Sequence, residues 1–385
     1  MDITLQPGTL SGNIIAPPSK SMAHRLLICA AFADHPTELI CPNSNEDIQA
    51  TIDCLIALGA KICPTAGGYR IQPTQGKPQQ AELYCRESGS TLRFLLPIVG
   101  ALGITATFHM EGRLPQRPLS PLWEEMERMG CRLCRPTENT IQCTGQLRAG
   151  RYCIDGSISS QFISGLLFAL SLIPGECQLE ITGNIESKPY IGMTRQALTF
   201  FQTEKHNIVS VEGDWSNAAF WLSANALGSQ IHVDGLSENS LQGDKAVTEI
   251  LESLKEHSNI STADIPDLVP VLSVVAAANS GAVFTNIRRL RTKESNRVAA
   301  ILQMIHELGG KAESTENTLT IYGTGLIGGT VDSCGDHRIA MSAAIAATIC
   351  QNPVTVLGAE CVKKSYPHFW DAYSLLGGRY EKQLR

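Results

Sequence analysis

Residues 334–360 read CGDHRIAMSAAIAATICQNPVTVLGAE, and this stretch contains in order the elements from which the whole chain is built. A small polar loop runs into a compact apolar helix, a polar segment with a proline ends the helix, and a β-branched strand follows. The pattern HFWDAYSLLGG at residues 368–378 then predicts an amphipathic helix. Because the first helix is apolar all round, it is expected to be enclosed, whereas the second must leave one face in water.

The same order of elements recurs, which gives six units. The predicted apolar helices are Leu26–Asp34, Leu92–Gly103, Phe162–Gly175, Asn217–Gly228, Leu268–Gly281 and Ile339–Gln351. The strands that follow them are predicted at residues 37–43, 105–112, 178–184, 230–236, 283–289 and 354–360. A chain of 385 residues suits two large domains. Six such units therefore predict two domains of three units each, with helices inside and sheets outside.

Two of the six units are shorter than the others. After the amphipathic helix of the third and fourth units, only the short segments TEKHNIVSVEGD (203–214) and EHSNISTADIPD (256–267) precede the next apolar helix. These segments are too short to hold the strands that the other units have room for. We therefore predict that the third and fourth units each lack a strand pair. A wholly parallel dinucleotide-binding sheet is disfavoured, because no GxGxxG follows the first strand.

Composition and charge restrict the ligands and the location that can be expected for the protein. The formal net charge is −6, so any anionic ligand must be held by locally placed cations. No apolar run approaches the ~20 residues that span a bilayer, and the start MDITLQPGTLSG has no targeting pattern, so a cytoplasmic protein is expected. Thirteen cysteines without framework spacing indicate reduced thiols. The pair Cys131 and Cys134 forms a CxxC, but no second ligand pair accompanies it, and no metal site is predicted.

The polar loops before the apolar helices carry the candidate chemistry. Helix N-termini offer unpaired N–H groups that bind phosphate or carboxylate, although Ser and Asp at these positions are also ordinary N-caps. Cations near these helix starts indicate a ligand with several negative charges. They are Lys20, Arg25, Arg93, Arg117, Lys293, Arg297, Arg338 and Lys364. Asp267, Glu294 and Asp336 lie among them, either as ion-pair partners or, in one case, as a general base.

At these residues the sequence resembles the EPSP synthase (3-phosphoshikimate 1-carboxyvinyltransferase) family. The matching motifs span nearly the whole chain in the family's order: PSKSMAHR, SGSTLR, LPQRPL, GSISSQF, SKPY, VEGD, DIPD, RTKESNR, GDHRIAM and CVKKSYP. The resemblance implies transfer of carboxyvinyl from phosphoenolpyruvate to the 5-hydroxyl of shikimate 3-phosphate by addition and elimination of phosphate, on the path to chorismate. It implies no cofactor, no nucleic acid, no membrane and a monomer.

The resemblance also implies an α/β (α+β) fold, an inside-out barrel arrangement of two domains with three βαβαββ repeats each. The domains are expected at residues 1–18 plus 214–385 and at residues 19–213, with crossovers near 12–20 and 208–216.

The resemblance also implies a role for individual residues, through the family motif that each one matches. The implied ligands of shikimate 3-phosphate are Lys20, Ser21, Arg25, Ser159, Ser160, Gln161, Ser187, Asp267 and Lys293. The implied ligands of phosphoenolpyruvate are Lys20, Gly89, Arg117, Gln161, Arg297, Arg338 and Lys364. Asp267 would accept the 5-hydroxyl proton. Glu294 and Lys20 are the candidates for protonating the methylene carbon and assisting departure of phosphate.

Two residues differ from those usual in the family, and two other functions compete with this interpretation. Glu87 stands where the family often has Asn, and Arg289 stands where some members have a substrate-binding Asn. The related transferase that acts on UDP-N-acetylglucosamine usually has a catalytic Cys before its RP motif, but residues 111–118 contain none. A clamp-like nucleic-acid binder would need cations along its inner helices, whereas here they lie at loop tips.

Overall fold

The computed structural model describes residues 1–203, 205 and 207–383. Positions 204 and 206, which belong to the third unit's short segment, lie outside the described residues. The chain divides into two compact units, Met1–Pro17 with Glu212–Arg385, here the terminal unit, and Pro18–Val211, here the inserted unit. The chain passes from one unit to the other after Pro17 and after Val211.

The helices of the described residues alternate between buried and amphipathic types. In chain order they are α1 Lys20–Ala31, α2 Glu46–Ala57, α3 Gly89–Leu102, α4 Leu122–Arg128, α5 Ser160–Leu170, α6 Lys188–Thr203, α7 Trp215–Ala226, α8 Val247–Ser253, α9 Val269–Ala278, α10 Arg297–Glu307, α11 His337–Ala347 and α12 Phe369–Leu375. Short 3-10 turns cover Leu114–Gln116, Gly243–Ala246, Arg288–Thr292 and Ala359–Lys364.

The strands of the first half of the chain are β1 Asp2–Leu5, β2 Ser11–Ile15, β3 Thr37–Ile40, β4 Lys61–Thr65, β5 Gly68–Gln72, β6 Gln80–Arg86, β7 Thr105–Met110, β8 Cys131–Cys134, β9 Thr140–Gly145 and β10 Gly150–Asp155. Those of the second half are β11 Cys177–Thr182, β12 Ile208–Ser210, β13 Gln230–Asp234, β14 Ser258–Ser261, β15 Ala282–Thr285, β16 Lys311–Ser314, β17 Thr318–Tyr322, β18 Gly329–Asp332, β19 Val354–Leu357 and β20 Tyr380–Gln383.

Each of the two compact units contains three sheets in its described residues. The inserted unit has the orders β12-β3-β5-β4, β6-β7-β9-β8 and β10-β11, and the terminal unit has β14-β15-β17-β16, β18-β19-β1-β20 and β13-β2. Every four-stranded sheet joins a parallel pair to two further antiparallel strands, as β6 and β7 are joined to β9 and β8. The two-stranded sheets are parallel pairs only, and they belong to the third and fourth of the six repeats found in the sequence. The predicted loss of a strand pair in these two units is confirmed for the described residues.

The apolar helices form the interior of their units. Helices α1, α3 and α5 are buried in the core of the inserted unit, and α7, α9 and α11 in that of the terminal unit. Strand β6 alternates exposed and buried residues, as expected when only one face of a sheet is covered. The predicted α/β fold with buried helices and outer mixed sheets is confirmed, although the described strands form separate sheets rather than a closed barrel.

Most of the buried helices begin earlier than the apolar pattern predicted. Helix α1 begins at Lys20 instead of Leu26, and α11 begins at His337 instead of Ile339. The reason is that polar residues occupy the first turns, where an apolar pattern cannot detect them. Five of the buried helices begin after a residue whose side chain accepts a backbone N–H: Ser19, Ser88, Ser159, Asp214 and Asp336. Lys20, Arg297 and Arg338 therefore lie in the first turns of α1, α10 and α11.

Among the described residues, no helix combines the length and the apolar character needed to cross a bilayer.

Candidate active site

Lys20 is the first residue of α1, and its ammonium is paired with an acid on the neighbouring helix. Its Nζ donates to Oδ2 of Asp47 at 2.9 Å, and both side chains are largely buried. Asp47 lies in the first turn of α2, where an acidic residue is an ordinary helix-start feature. Asp47 could not be recognised from the sequence, because nothing distinguishes it from such a residue. The pair fixes Lys20 at the start of α1.

Arg25 is buried and joins three helices of the inserted unit. Its Nε donates to Oγ1 of Thr194 at 2.8 Å, and its Nη2 donates to the carbonyl of Tyr190 at 2.9 Å and to Oγ of Ser164 at 3.4 Å. Burial lowers the pKa of Arg25 to about 10, against a smaller opposing effect of Tyr190. The guanidinium thus connects α1 with α5 and α6. The role of Arg25 in binding substrate stays a prediction.

Gly89 begins α3 directly after its N-cap, Ser88, and the guanidinium of Arg117 lies against it. A Cβ atom at Gly89 would meet Cζ of Arg117 at 3.1 Å. The close approach therefore depends on the absence of a side chain at this position. The predicted phosphoenolpyruvate residues Gly89 and Arg117 are neighbours. Glu87, the departure noted above, lies against Gly112.

The amide of Gln161 is held at both ends. Its Oε1 accepts from Nη1 of Arg93 at 2.7 Å, and its Nε2 donates to Oγ of Ser90 at 2.9 Å. Arg93 also donates to the carbonyl of Pro118 at 2.9 Å, beside Arg117 in the chain. Arg93 was recognised as a cation near a helix start but was not assigned to a substrate. The structure gives it a positioning role between α3, α5 and the loop that carries Arg117.

Besides Ser21 in the first turn of α1, three further serines predicted to bind shikimate 3-phosphate lie at helix starts of the inserted unit. Ser159 caps α5 and Ser160 is its first residue, while Ser187 directly precedes α6 with a left-handed backbone, φ 54°. All three are buried. They share the inserted unit with Lys20 and Gln161.

In the terminal unit, Arg297 is fully buried and surrounded by acceptors. Its Nε donates to Asp336 at 3.0 Å, its Nη1 to Asp267 at 2.8 Å, and its Nη2 to Glu294 at 2.8 Å. Nη1 also reaches the carbonyl of Pro266 at 3.3 Å. Asp267, Glu294 and Asp336 are therefore all ion-pair partners, and this does not exclude a second role for one of them.

Asp267 is the centre of this group. Its carboxylate also lies 3.2 Å from Nη2 of Arg338 and 3.7 Å from Nζ of Lys293. Burial alone would raise the pKa of Asp267, but Arg338, Lys293 and Arg297 outweigh it and hold that pKa well below its usual range. Burial lowers the pKa of Lys293 to about 8, although Asp267 opposes this shift. The carboxylate is ionised near neutral pH, and the ammonium is still mostly protonated there but loses its proton at a lower pH than an ordinary lysine.

Asp336 and Ser216 support the arginines. Asp336 caps α11 through the backbone N–H of Arg338 and also accepts from Oγ of Ser295 at 3.0 Å. Arg338 donates to Oγ of Ser216 at 2.9 Å. Lys364 is buried at the end of the last 3-10 turn. The sequence analysis did not assign Ser216, because its contact joins helices that lie far apart in the chain.

The predicted residues therefore divide between the two compact units. The inserted-unit group contains Lys20, Ser21, Arg25, Gly89, Arg117, Ser159, Ser160, Gln161 and Ser187. The terminal-unit group contains Asp267, Lys293, Glu294, Arg297, Arg338 and Lys364. No cluster of three His, Cys, Asp or Glu suited to a metal ion occurs in the part of the chain that the structure describes. Cys131 is buried and Cys134 exposed on β8, so the CxxC presents its thiols on opposite faces of a strand.

Comparison with known proteins identifies similar sequences over nearly the full length. The family model for EPSP synthase (3-phosphoshikimate 1-carboxyvinyltransferase) matches residues 5–373. The 3-phosphoshikimate 1-carboxyvinyltransferase of Clostridium kluyveri is 36% identical over 420 aligned positions, which cover 99% of this chain and 98% of that protein. The same enzyme of Clostridium acetobutylicum is 38% identical, with 98% and 97% covered. The alignments exceed the 385 residues of this chain, in agreement with its shortened units.

Solved structures share the fold. The structure of EPSP synthase from Acinetobacter baumannii has a TM-score of 0.79 at 23% identity and covers 99% of this chain and 100% of that one. The enolpyruvyl transferase NikO from Streptomyces tendae has a TM-score of 0.77 at 14% identity, with 99% and 98% covered.

Proposed function

The chain belongs to the EPSP synthase family, and from this membership we propose that it transfers the carboxyvinyl group of phosphoenolpyruvate to the 5-hydroxyl of shikimate 3-phosphate. The observation that carries the proposal is Asp267, an ionised, partly exposed carboxylate within 4 Å of Lys293, Arg297 and Arg338. A reaction between two polyanions, in which a hydroxyl loses a proton, needs such a carboxylate among cations.

The proposed reaction has two steps. In the addition, the 5-hydroxyl oxygen bonds to C2 of phosphoenolpyruvate, its proton passes to Asp267, and C3 receives a proton from Lys20 or Glu294. In the elimination, the new methyl group returns a proton, the double bond re-forms, and the bond from C2 to the phosphate oxygen breaks. The low pKa of Asp267 makes it a weak base at rest. It therefore accepts the proton as the hydroxyl oxygen acquires positive charge during its attack.

The proposed substrate ligands follow from the motifs. Shikimate 3-phosphate is assigned to Lys20, Ser21, Arg25, Ser159, Ser160, Gln161, Ser187, Asp267 and Lys293. Phosphoenolpyruvate is assigned to Lys20, Gly89, Arg117, Gln161, Arg297, Arg338 and Lys364. The helix starts at Ser159 and Ser187 support a phosphate ligand, because their backbone N–H groups carry partial positive charge. We also propose that the protein is a monomer and acts in the cytoplasm.

Arg297 sets a condition on phosphoenolpyruvate binding. Its five N–H donors already face Asp336, Asp267, Glu294 and the Pro266 carbonyl. An anionic ligand can reach this guanidinium only by replacing one of these acceptors. Glu294 is the simplest to displace, because Asp336 is fully buried and Asp267 is also paired with Lys293 and Arg338. Its release would also free its carboxyl group for proton transfer.

The test is phosphate release from phosphoenolpyruvate with three acceptors in parallel: shikimate 3-phosphate, UDP-N-acetylglucosamine and none. We expect release only with shikimate 3-phosphate. Release with the nucleotide sugar would assign the chain to the rival transferase, and absence of release in all three would contradict enolpyruvyl transfer altogether.

A further inference from the structure

The inserted unit contains an apolar cavity formed by the C-terminal parts of α1, α5 and α6. Its volume is about 160 Å³. The apolar side chains that line it include Cys29, Phe32, Phe168, Leu172, Leu198 and Phe201. Among its described lining residues none carries a charge. We propose that this helix-end cavity binds a neutral small molecule with one aromatic ring.

The size of the cavity selects a single ring. An apolar cavity of about 150 Å³ in another protein stays dry and binds benzene. Larger drug-like ligands need roughly 300 Å³ or more. At about 160 Å³ the helix-end cavity has room for one ring, but unlike that enclosed cavity it is open to solvent on one side.

The lining selects an aromatic and uncharged occupant. Three phenyl rings, those of Phe32, Phe168 and Phe201, can meet a flat ring by edge or by face. Burial raises the pKa of the Cys29 thiol to about 12, so this wall is uncharged at neutral pH. A charged ligand would lose its hydration without gaining a partner here.

The cavity has an accessible side with polar groups. Phe32, Leu172 and Phe201 are half-buried, and the exposed Ser171 and Gln202 complete the rim. The ring of Phe201 is held in place by stacking on His35, with centroids 6.3 Å apart. A ligand can therefore enter without unfolding a helix, and a hydroxyl or amino substituent on its ring could reach the rim.

The same three helices begin at residues assigned to shikimate 3-phosphate. Helix α1 begins at Lys20, α5 at Ser160, and α6 directly after Ser187. Arg25 and Thr194 cross-link them between the two ends. We expect an occupant of the cavity to change the affinity of the chain for shikimate 3-phosphate, an expectation that rests on the proposed function. Shikimate 3-phosphate should then change the affinity for the occupant by the same factor.

Binding is tested directly with fluorobenzene as the probe, by 19F NMR titration of the whole chain. Wild type should bind saturably. Ala33→Leu and, separately, Cys29→Met place extra carbons in the cavity and should each weaken binding at least about tenfold, because these carbons occupy the space that the ring would fill. Ala149→Leu, an exposed alanine elsewhere in the inserted unit, is the matched control and should bind like wild type.

Absence of saturable binding to wild type, or equal binding by wild type and both filled variants, would overturn the proposed site. This readout needs no catalysis, so it stands apart from failure of the proposed function. The titration is repeated with saturating shikimate 3-phosphate. A change in the fluorobenzene Kd supports the link between the two ends of the helices, and an unchanged Kd under confirmed substrate binding overturns that link.

Discussion

A Cβ atom on Gly89 would lie 2.8 Å from Nη1 of Arg117, closer than a Cβ atom approaches other heavy atoms in folded proteins. The contact involves the end of a flexible side chain, so the guanidinium rather than the helix must move. Arg117 and Gly89 are both assigned to phosphoenolpyruvate. The geometry therefore makes the first residue of α3 a determinant of where Arg117 places its charge.

Gly89→Ala should raise the KM for phosphoenolpyruvate and leave the KM for shikimate 3-phosphate nearly unchanged. Losing one charge-assisted hydrogen bond costs ~1.5–3 kcal/mol, which corresponds to a KM for phosphoenolpyruvate about 10- to 100-fold higher. Steady-state kinetics with each substrate varied in turn measures the effect. Gly76→Ala is the control, because a Cβ there meets no atom within 4 Å. Equal losses for both substrates would count against the placement of Gly89.

Lys20→Ala should lower turnover by ~10²–10⁴-fold or more, because the ammonium is proposed both to contact the substrates and to transfer a proton. The substitution leaves Asp47 without this partner, so Lys20→Ala with Asp47→Asn is measured as well. Urea unfolding midpoints check that both variants fold. The exposed Lys61→Ala serves as the matched control in the same unit. Near-normal turnover in folded Lys20→Ala would refute the role.

Asp336→Asn should destabilise the chain and weaken phosphoenolpyruvate binding together. Asn still caps α11, but Arg297 loses a buried charged partner, and breaking a buried ion pair costs ~3–5 kcal/mol. The urea midpoint and the KM for phosphoenolpyruvate report the two effects. Asp371→Asn removes an exposed pair with His368 and should cost ~1 kcal/mol at most. Equal midpoints for the two variants would show that the Asp336 carboxylate contributes no more than a surface charge.

The KM for shikimate 3-phosphate should rise as the pH passes about 8. Burial favours the neutral form of Lys293 and lowers its pKa to about 8, so the cation assigned to this substrate is lost above that pH. The substrate phosphate, with a second pKa of about 6, is already fully ionised there. Measuring the KM from about pH 7 to 9.5 gives the profile. Lys293→Arg keeps its charge and should flatten it, whereas an equal rise in this variant would assign the titration to another group.

The sequence predicted what depends on local pattern. The six apolar helices, the strands after them and the two units without a strand pair followed from periodicity and segment length. Helix starts were placed late, because Lys20 and Arg338 interrupt the apolar pattern in the first turn. The contacts of Asp47 with Lys20 and of Ser216 with Arg338 were missed, since each joins different helices through side chains of ordinary type.

If this chain forms a new vinyl ether from phosphoenolpyruvate by addition and elimination, hydrogen from the solvent must enter the product. The reaction is therefore run with shikimate 3-phosphate in D₂O, and the product is followed by proton and phosphorus NMR. We expect inorganic phosphate and a 5-enolpyruvyl ether in equal amounts, with deuterium in part of the product's methylene groups, because C3 is transiently a methyl group. Phosphate with pyruvate and no vinyl ether, or an ether without deuterium, would contradict this account.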